Sequence, residues 1–254
     1  MSTITTKAFV MNSFPWKERH RLLHLLTPGL GLITVLAPAS ERLRSEIRGA
    51  TQLFSLSEFT LTEKQSRYAV RTASVIESFI AIAEDLDRLA AASHAAEVFL
   101  DVAKHDEPNR ETFDLWAYSL YEISVSPEPV FISRMAAFRL MVDIGLKPCL
   151  ESCVRCGGTA DREPFCFSFS EGGLLCGQED FRKSQAEWTS LTAGTVALLR
   201  YVASAPYKRL FRFFASPEIR SEASGFADRW LEERMEKRYR RLAILDQRPD
   251  IFFS

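Results

Sequence analysis

All five cysteines of the 254-residue chain lie between positions 149 and 176. Cys153 and Cys156 form a CxxC pair that is followed by two glycines, a spacing at which two thiolates can bind one metal ion. Cys166 and Cys176 each follow ten positions further on. An odd number of cysteines gathered in one segment is typical of a metal site rather than of a secreted disulfide framework.

Several residues are candidates for the fourth metal ligand. A second CxxC pair would need a cysteine at position 179, where Glu179 stands. Cys149, Cys166, Glu179 and Asp180 are the alternatives, and we prefer Cys166 because thiolate is the softer ligand. In a competing interpretation the thiols bind nothing and pack as small apolar groups. The sequence predicts one structural Zn²⁺ with four ligands: Cys153, Cys156, Cys166 and Cys176.

Aromatic and basic residues alternate at positions 14–21 (FPWKERHR). Rings stack on bases and cations pair with phosphates, so this mixture suits single-stranded nucleic acid. A net charge of −1 does not exclude such a ligand, because residues 1–80 carry +4, 81–150 carry −6 and 191–254 carry +4. The alternative is that the rings cover a core and the arginines are solvated. The candidate DNA-binding residues are Trp16, Lys17, Arg19, Arg21, Arg44, Arg48, Lys64, Arg67, Arg238 and Arg241.

Five short β-prone runs, bounded by turn residues, precede residue 78. They span 4–10, 20–27, 31–37, 52–62 and 67–75. Five strands of this size predict an OB-like β-barrel over residues 1–77. In that fold the first and last strand connections border the oligonucleotide face, and these connections would hold residues 14–21 and the pair Lys64 and Arg67.

The pattern then changes to apolar residues at steps of three and four, which predicts helices. We expect helices at 78–104, 112–124, 130–144, 192–203, 207–214 and from Ser216 to about Leu245. The fold class is therefore α+β. A helical domain spans 78–148 and 181–254, and the cysteine segment 149–180 interrupts it as a zinc-ribbon-like insertion with a hairpin around Gly172.

The composition excludes several classes of protein. No apolar run reaches the roughly 18 residues that cross a bilayer, and the first residues have no signal-peptide pattern, so we expect a cytoplasmic protein. Four scattered histidines, no glycine-rich phosphate loop and no paired carboxylates indicate that the chain is not an enzyme.

Several stretches resemble the bacterial RecO recombination-mediator family. They are 21–27 with 31–33, 48–54, 84–93, and the cysteine stretches 153–157 and 167–176. Most of residues 4–180 are covered in this way, whereas the last third agrees only in its pattern.

The resemblance implies a non-enzymatic mediator of DNA repair and recombination in the RecF pathway, associated with the nucleoid. Members of the family bind single- and double-stranded DNA and anneal complementary strands. Together with RecR they act on DNA coated by single-strand-binding protein (SSB) and help to load the RecA recombinase. Annealing needs a cationic surface that screens two phosphate backbones and leaves the bases free to pair.

The resemblance also implies that the chain binds the acidic, aromatic-tipped C-terminal tail of SSB. Such a peptide needs an apolar pocket and cations, which we expect on the third helix. The chain's own acidic and aromatic end, 250–253, is a rival occupant, and a solvated or core role is the alternative for each residue. The candidate residues are Phe131, Arg134, Met135, Phe138 and Arg139.

Two other functions are weighed against the mediator. One is a zinc-ribbon adaptor that binds only protein through the acidic helices 81–125, and DNA binding would separate it from the mediator. The other is a metal-dependent nucleic-acid hydrolase, which a nuclease assay with Mg²⁺ or Mn²⁺ would detect. Neither explains why a barrel is followed by helices.

Overall fold

The computed structural model describes residues 2–17, 20–38, 47–65, 67–103, 107–159, 163, 165–176 and 188–247. Contacts divide the chain into two compact units. The first contains residues 1–133 and 240–254, and the second contains residues 134–239. None of the described helices is both long and apolar enough to cross a membrane. The domain boundaries expected from the sequence stay a prediction.

The first unit begins with five strands that form a closed barrel in the order β1-β2-β3-β5-β4. All neighbours are antiparallel except β3 and β5, whose parallel pairing closes the barrel through two residue pairs. The OB-like barrel predicted from the sequence is confirmed. The strands are β1 (Ser2–Trp16), β2 (His20–Thr27), β3 (Gly31–Ala37), β4 (Leu56–Lys64) and β5 (Arg67–Glu77).

Every second residue of these strands faces the barrel interior, as the two-residue period of a strand requires. Apart from the ring of Phe59, the side chains inside are small or branched, which suits a narrow barrel. They include Ala8 and Val10 of β1, Leu23 and Leu25 of β2, Ile33 and Val35 of β3, and Phe59 and Leu61 of β4.

β1 is longer than predicted. The sequence suggested an end near Val10 because Asn12 and Ser13 are polar, but the strand continues to Trp16. A register shift between Val10 and Asn12 marks where β1 stops pairing with β4 and continues with β2. A bulge of this kind bends a strand, so one long strand can serve both neighbours.

The opposite face of β1 is also buried, against helices of the same unit. These are α1 (Ile80–Ala83), α2 (Leu86–Val102) and α3 (Arg110–Val125). Phe9 of β1 contacts Phe113 at 5.2 Å between ring centroids, and Trp116 contacts Phe99 at 5.1 Å. The continuous helix predicted over 78–104 is interrupted, because the Asp85 carboxylate accepts a hydrogen bond from the Arg88 N–H and so begins α2.

Helix α4 (Pro129–Asp143) contributes its residues from Arg134 onward to the second unit. A four-stranded sheet follows in the order β6-β8-β7-β9. Its strands are β6 (Cys149–Cys153), β7 (Phe165–Ser168), β8 (Gly173–Leu175) and β9 (Trp188–Leu191). The predicted hairpin is present, with Cys166 of β7 opposite Leu175 of β8.

Helices α5 (Ala193–Ser204) and α6 (Pro217–Met235) complete the second unit. An aromatic cluster joins the sheet to α4 and α6, and in it Phe167 contacts Phe226 at 4.8 Å and Phe226 stacks on Trp230. α6 begins where the sequence predicted, because the Ser216 hydroxyl accepts a hydrogen bond from the Ile219 N–H and caps the helix.

The sequence overestimated the helices near the C-terminal end. α6 ends at Met235 rather than near Leu245, because Glu236 takes a left-handed conformation with φ of 50°. Residues Arg241–Gln247 form a separate 3₁₀ helix. The helix expected at 207–214 is only a 3₁₀ turn at Tyr207–Arg209, followed by an extended segment.

Candidate nucleic-acid interface and metal centre

Three of the predicted metal ligands come together in the second unit. The Sγ atoms of Cys153, Cys156 and Cys176 all lie within 4.8 Å of one another, and those of Cys156 and Cys176 are 3.4 Å apart. A tetrahedral site with Zn–S bonds of about 2.3 Å separates its sulfur atoms by about 3.8 Å. These three cysteines therefore fit a metal ion.

Local backbone geometry holds the thiols in place. The Gly157 N–H donates to the Cys153 carbonyl at 2.9 Å, and Gly157 has a φ of +71°, which a glycine adopts without strain. Burial alone would raise the pKa of the Cys153 thiol. However, hydrogen bonds from the backbones of Cys156, Cys176 and Arg155 lower this pKa to about 7. The donors stabilise a thiolate, the form that binds metal.

The prediction of Cys166 as the fourth ligand is wrong for this structure, since Cys166 does not belong to the cluster. Its partner across the hairpin is Leu175. Consecutive residues of a strand point to opposite faces, so Cys176, the next residue, points away from Cys166. Burial raises the pKa of the Cys166 thiol, which is the reverse of what a ligand needs. The alternatives Glu179 and Asp180 lie outside the described residues.

An ion pair ties the CxxC turn to the hairpin. Arg155, between the first two cysteines, pairs with Glu171 of the β7–β8 turn at 2.6 Å. Hydrogen bonds from Arg155 lower the pKa of the Glu171 carboxyl. Gly173 brings β8 close to β6, because a Cβ there would collide with Val154 and Cys149. The turn that holds two thiols is thereby fixed to the strand that leads to the third.

The barrel places the basic residues of both hairpins beside β3. Arg21 of β2 is opposite Ala37 of β3, and Tyr68, which follows Arg67, is opposite Val35. Arg67 in turn pairs with Lys64 across the second hairpin. Arg21 and Arg67 therefore lie on the two strands that flank β3, whereas the two hairpin turns extend toward its opposite ends: the β1–β2 turn lies beyond Ala37 and the β4–β5 turn on the Gly31 side.

Residues 14–16 and 20–21 belong to the paired ends of β1 and β2 rather than to the loop that the sequence suggested. Trp16 is the last residue of β1 and Arg21 the second of β2, and Lys17 turns the chain with a φ of 55°. Trp16 is 46% exposed, and Lys17 is exposed as well. This ring and this cation are thus presented together at the tip.

A polar cavity of about 470 Å³ lies beside this hairpin. Arg21 and Arg48 both line it. The Arg21 guanidinium is held in place by the Ser13 hydroxyl and, at 3.0 Å, by the Ser13 carbonyl. Among the described residues, the rest of the lining carries no acidic group: Asn12, Ser13, Thr51, Gln52 and Leu53. The cavity can accept an anionic group between two guanidinium groups.

We call the set Trp16, Lys17, Arg21, Arg48, Lys64 and Arg67 the barrel surface. The sequence analysis did not identify the polar residues that line its cavity. No local motif marks them, and only the fold shows that they lie beside Arg21 and Arg48. Arg19 and Arg44 lie outside the described residues. The binding role of all these residues stays a prediction.

The two C-terminal candidates have different environments. Arg238 is exposed in the segment after α6. Arg241 forms an ion pair with Glu97 at 3.3 Å, so its charge is partly compensated. Two further arginines of that stretch pack on rings: Arg229 lies over Phe169 and Arg234 over Trp230.

The predicted SSB-tail pocket on α4 needs a correction. Met135 and Phe138 are 0% and 1% exposed, so their side chains are core and do not line an open pocket. Arg134 pairs with Asp228 at 2.9 Å, where burial raises the pKa of the carboxyl despite the charge of Arg134. Phe131 is also buried. That α4 binds a tail peptide stays a prediction, but not through these apolar side chains.

Arg139 has a structural role. It pairs with Asp143 at 2.8 Å, and it donates to the carbonyls of Val202 and Ala205 at the end of α5. Its side chain is only 11% exposed. Cations that bond the last carbonyls of a helix also stabilise its dipole.

Replacing Arg139 by alanine is therefore expected to lower the free energy of unfolding by about 2–4 kcal/mol, because Asp143 and two carbonyls lose their donor. Urea denaturation followed by circular dichroism would measure it. Arg110→Ala is the control, since its pair with Asp114 is exposed and contributes at most about 0.5 kcal/mol. Equal stability of Arg139→Ala and wild type would contradict the structural role.

Two sequence profiles together cover nearly the whole chain. "Recombination protein O N terminal" matches residues 1–79 and "Recombination protein O C terminal" matches residues 83–243. The chain belongs to the RecO family. The expected resemblance is confirmed, and the family is one of DNA repair proteins. The junction between the two profiles lies just after β5 and before α2.

Two curated relatives match this chain over more than nine tenths of both lengths, and a third matches over a shorter part. A protein of Acetivibrio thermocellus named DNA repair protein RecO is 30% identical over 246 residues, which are 96% of this chain and 97% of that protein. Its namesake in Desulforamulus reducens is 27% identical over 94% of this chain and 93% of its own. The DNA repair protein RecO of Alkaliphilus metalliredigens is 33% identical over 69% of this chain and 71% of its own length.

Proposed function

We propose that this RecO-family chain binds single- and double-stranded DNA without catalysing a reaction on it, and that it anneals complementary strands. In this proposal it acts with RecR on SSB-coated DNA and promotes RecA loading in the cytoplasm. The observation that supports the proposal best is the barrel surface. Cations on the two strands that flank β3, together with Arg48 and the exposed indole of Trp16, lie on one OB-like barrel.

The chemistry of the barrel surface suits a strand with exposed bases. An indole that is half exposed offers a face for base stacking, and its neighbour Lys17 can pair with the adjoining phosphate. Arg21 and Arg48 line a cavity whose described lining holds no carboxylate, so a phosphate there would meet two donors. Contacts of this type read no sequence, as annealing of arbitrary strands requires.

For the metal centre we propose a structural Zn²⁺ held by Cys153, Cys156 and Cys176. Thiolates favour zinc among the common divalent ions, and a pKa of about 7 for Cys153 makes the thiolate available near neutral pH. The metal would fasten the CxxC turn to the end of β8. Cys149 and Cys166 lie outside the cluster, so of the alternatives we propose Glu179 or Asp180 as the fourth ligand.

A protein-binding adaptor is the second candidate function, and one observation favours it. Apolar side chains lie exposed where β5 leads into the helices, among them Ile76, Ile80 and Leu86. Glu77, Glu84 and Asp85 are also exposed there. An apolar patch edged by acids suits a basic protein partner. In the mediator proposal this patch is a surface for RecR, whereas in the adaptor it would be the main function.

Fluorescence anisotropy with a labelled single-stranded oligonucleotide separates the two functions. The mediator proposal expects binding that weakens steeply with salt, because each neutralised phosphate releases a counterion. If the chain is only a protein-binding adaptor, we expect no binding of the oligonucleotide even at low salt. A result of the second kind would remove the proposed function.

A further inference from the structure

A phenyl ring stands almost entirely in solvent on the second unit. Phe214 is 98% exposed, the highest value among the exposed large apolar side chains of the described residues. It lies in the segment 205–217 between α5 and α6, which we call the α5–α6 segment. Neither the metal centre nor the barrel surface contains any of these residues.

The segment around Phe214 is anchored on both sides. Leu210 is fully buried and Ala215 nearly so. Phe213 packs edge-on against Tyr201 of α5 at 5.9 Å between centroids. The Tyr201 hydroxyl donates to the carbonyls of Arg209 and Arg212. The backbone is thus held in one shape that directs the ring of Phe214 outward while its neighbour points inward.

All charged residues of the α5–α6 segment are basic. Lys208, Arg209 and Arg212 are all exposed, and positions 205–217 contain no acidic residue. The three cations lie two to six residues from Phe214. A single exposed ring beside cations is the arrangement that binds unpaired nucleotides, because the ring stacks on a base and the cations pair with phosphates.

We propose that the α5–α6 segment is a second contact for single-stranded DNA, in which Phe214 stacks on an unpaired base. The inference rests on the proposed function in taking DNA as the polymer. It goes beyond it by assigning a base-stacking residue to the second unit. A double helix has no free base face to offer, so this contact favours single strands over duplex.

An anionic membrane is the main competing ligand for a ring and cations. A segment that inserts into lipid presents several apolar side chains to it. Here Leu210 and Ala215 are buried and Phe213 is packed on Tyr201, so Phe214 alone is fully presented. One ring matches one base, and the observations favour DNA.

The test is the affinity of the full chain for a labelled single-stranded oligonucleotide and for the same sequence as duplex. Phe214→Ala is expected to weaken single-strand binding about 10-fold, the effect of losing one stacked base, with an unchanged salt slope and unchanged duplex affinity. Phe214→Trp should keep the wild-type affinity. Ile144→Ala, which removes another exposed apolar side chain of the second unit, should change nothing.

A second variant tests the cations separately. Lys208→Ala with Arg209→Ala is expected to reduce the slope of log affinity against log salt by about 1.4, or about 0.7 for each single-strand phosphate that the variant no longer neutralises. A 2-aminopurine base in the oligonucleotide should be quenched by wild type and by Phe214→Trp, and less by Phe214→Ala.

Three outcomes would overturn the inference. One is equal single-strand affinity of Phe214→Ala and wild type. Another is an equal loss for single strand and duplex, which would indicate a structural effect. A third is that Phe214→Ala loses binding to phosphatidylglycerol vesicles while its DNA binding stays intact, which would assign the ring to a membrane. If wild type bound neither form of DNA, the proposed function itself would fail.

Discussion

Replacing Cys153 by serine is expected to reduce the metal content from about one ion per chain to below about 0.2, because a structural site that loses a thiolate loses most of its affinity. Cys153 is the buried member of the cluster and the one whose thiolate receives backbone hydrogen bonds. Plasma mass spectrometry on protein purified without chelator would measure the metal. The variant should also unfold at a lower temperature.

Cys166→Ser is the matched control for this experiment. It makes the same chemical change in the same four-stranded sheet, but at a thiol outside the cluster, so it should retain about one ion per chain. Metal binding of wild type should weaken as the pH falls through about 7, because the Cys153 thiolate then takes up a proton. Equal metal loss in both variants would contradict the proposed ligand set.

A triple charge-removing variant of the barrel surface is expected to weaken single-strand binding about 100-fold at low salt, since removing three charge-assisted phosphate contacts costs about 1 kcal/mol each. The variant is Lys17→Gln, Arg21→Gln and Arg48→Gln. The slope of log affinity against log salt should fall by about 2, because three phosphates of a single strand are no longer neutralised. Glutamine preserves a hydrogen-bonding group near Ser13, which Arg21 contacts in the wild type.

The matched control removes the same total charge elsewhere. Arg88, Arg110 and Lys147 lie in the acidic stretch 81–150, and their replacement by glutamine should leave the slope within about 0.5 of the wild-type value, because distant surface charges are screened. Equal losses of affinity in the two triple variants would show that net charge, and not the barrel surface, determines binding.

The barrel could be predicted from the sequence because its strands have clear local signals. β2 and β3 have the predicted bounds 20–27 and 31–37, since apolar runs end there at glycine and proline. The end of β1 could not be predicted in this way. Asn12 and Ser13 stay in the strand because β2 supplies their backbone partners, and those partners are a product of the tertiary fold.

The ends of helices could likewise be predicted only where a local sequence signal marks them. The Ser216 cap was visible in the sequence, whereas the end of α6 depends on a left-handed backbone at Glu236, a residue type that gives no such signal. The extended α5–α6 segment is stabilised by the hydroxyl of Tyr201, which a periodicity analysis does not register.

A candidate site could be predicted from the sequence where its residues are close together in the chain, but not where the fold decides which side chains meet. The spacing of Cys153 and Cys156 predicted two members of the thiol cluster, and the hairpin brings Cys176 to it as the third. Cys166 was a wrong prediction because ligand softness was considered without the alternation of side chains along a strand. Met135 and Phe138 were wrong because helical spacing shows which residues share a face but not whether that face is covered.

The most direct test of the account is the annealing of complementary oligonucleotides that are precoated with single-strand-binding protein. Loss of fluorescence as a labelled and a quencher strand pair would give the annealing rate. The account predicts that wild type raises this rate well above the protein-free value and that the triple variant of Lys17, Arg21 and Arg48 does not. A wild-type rate equal to the protein-free rate would contradict the account.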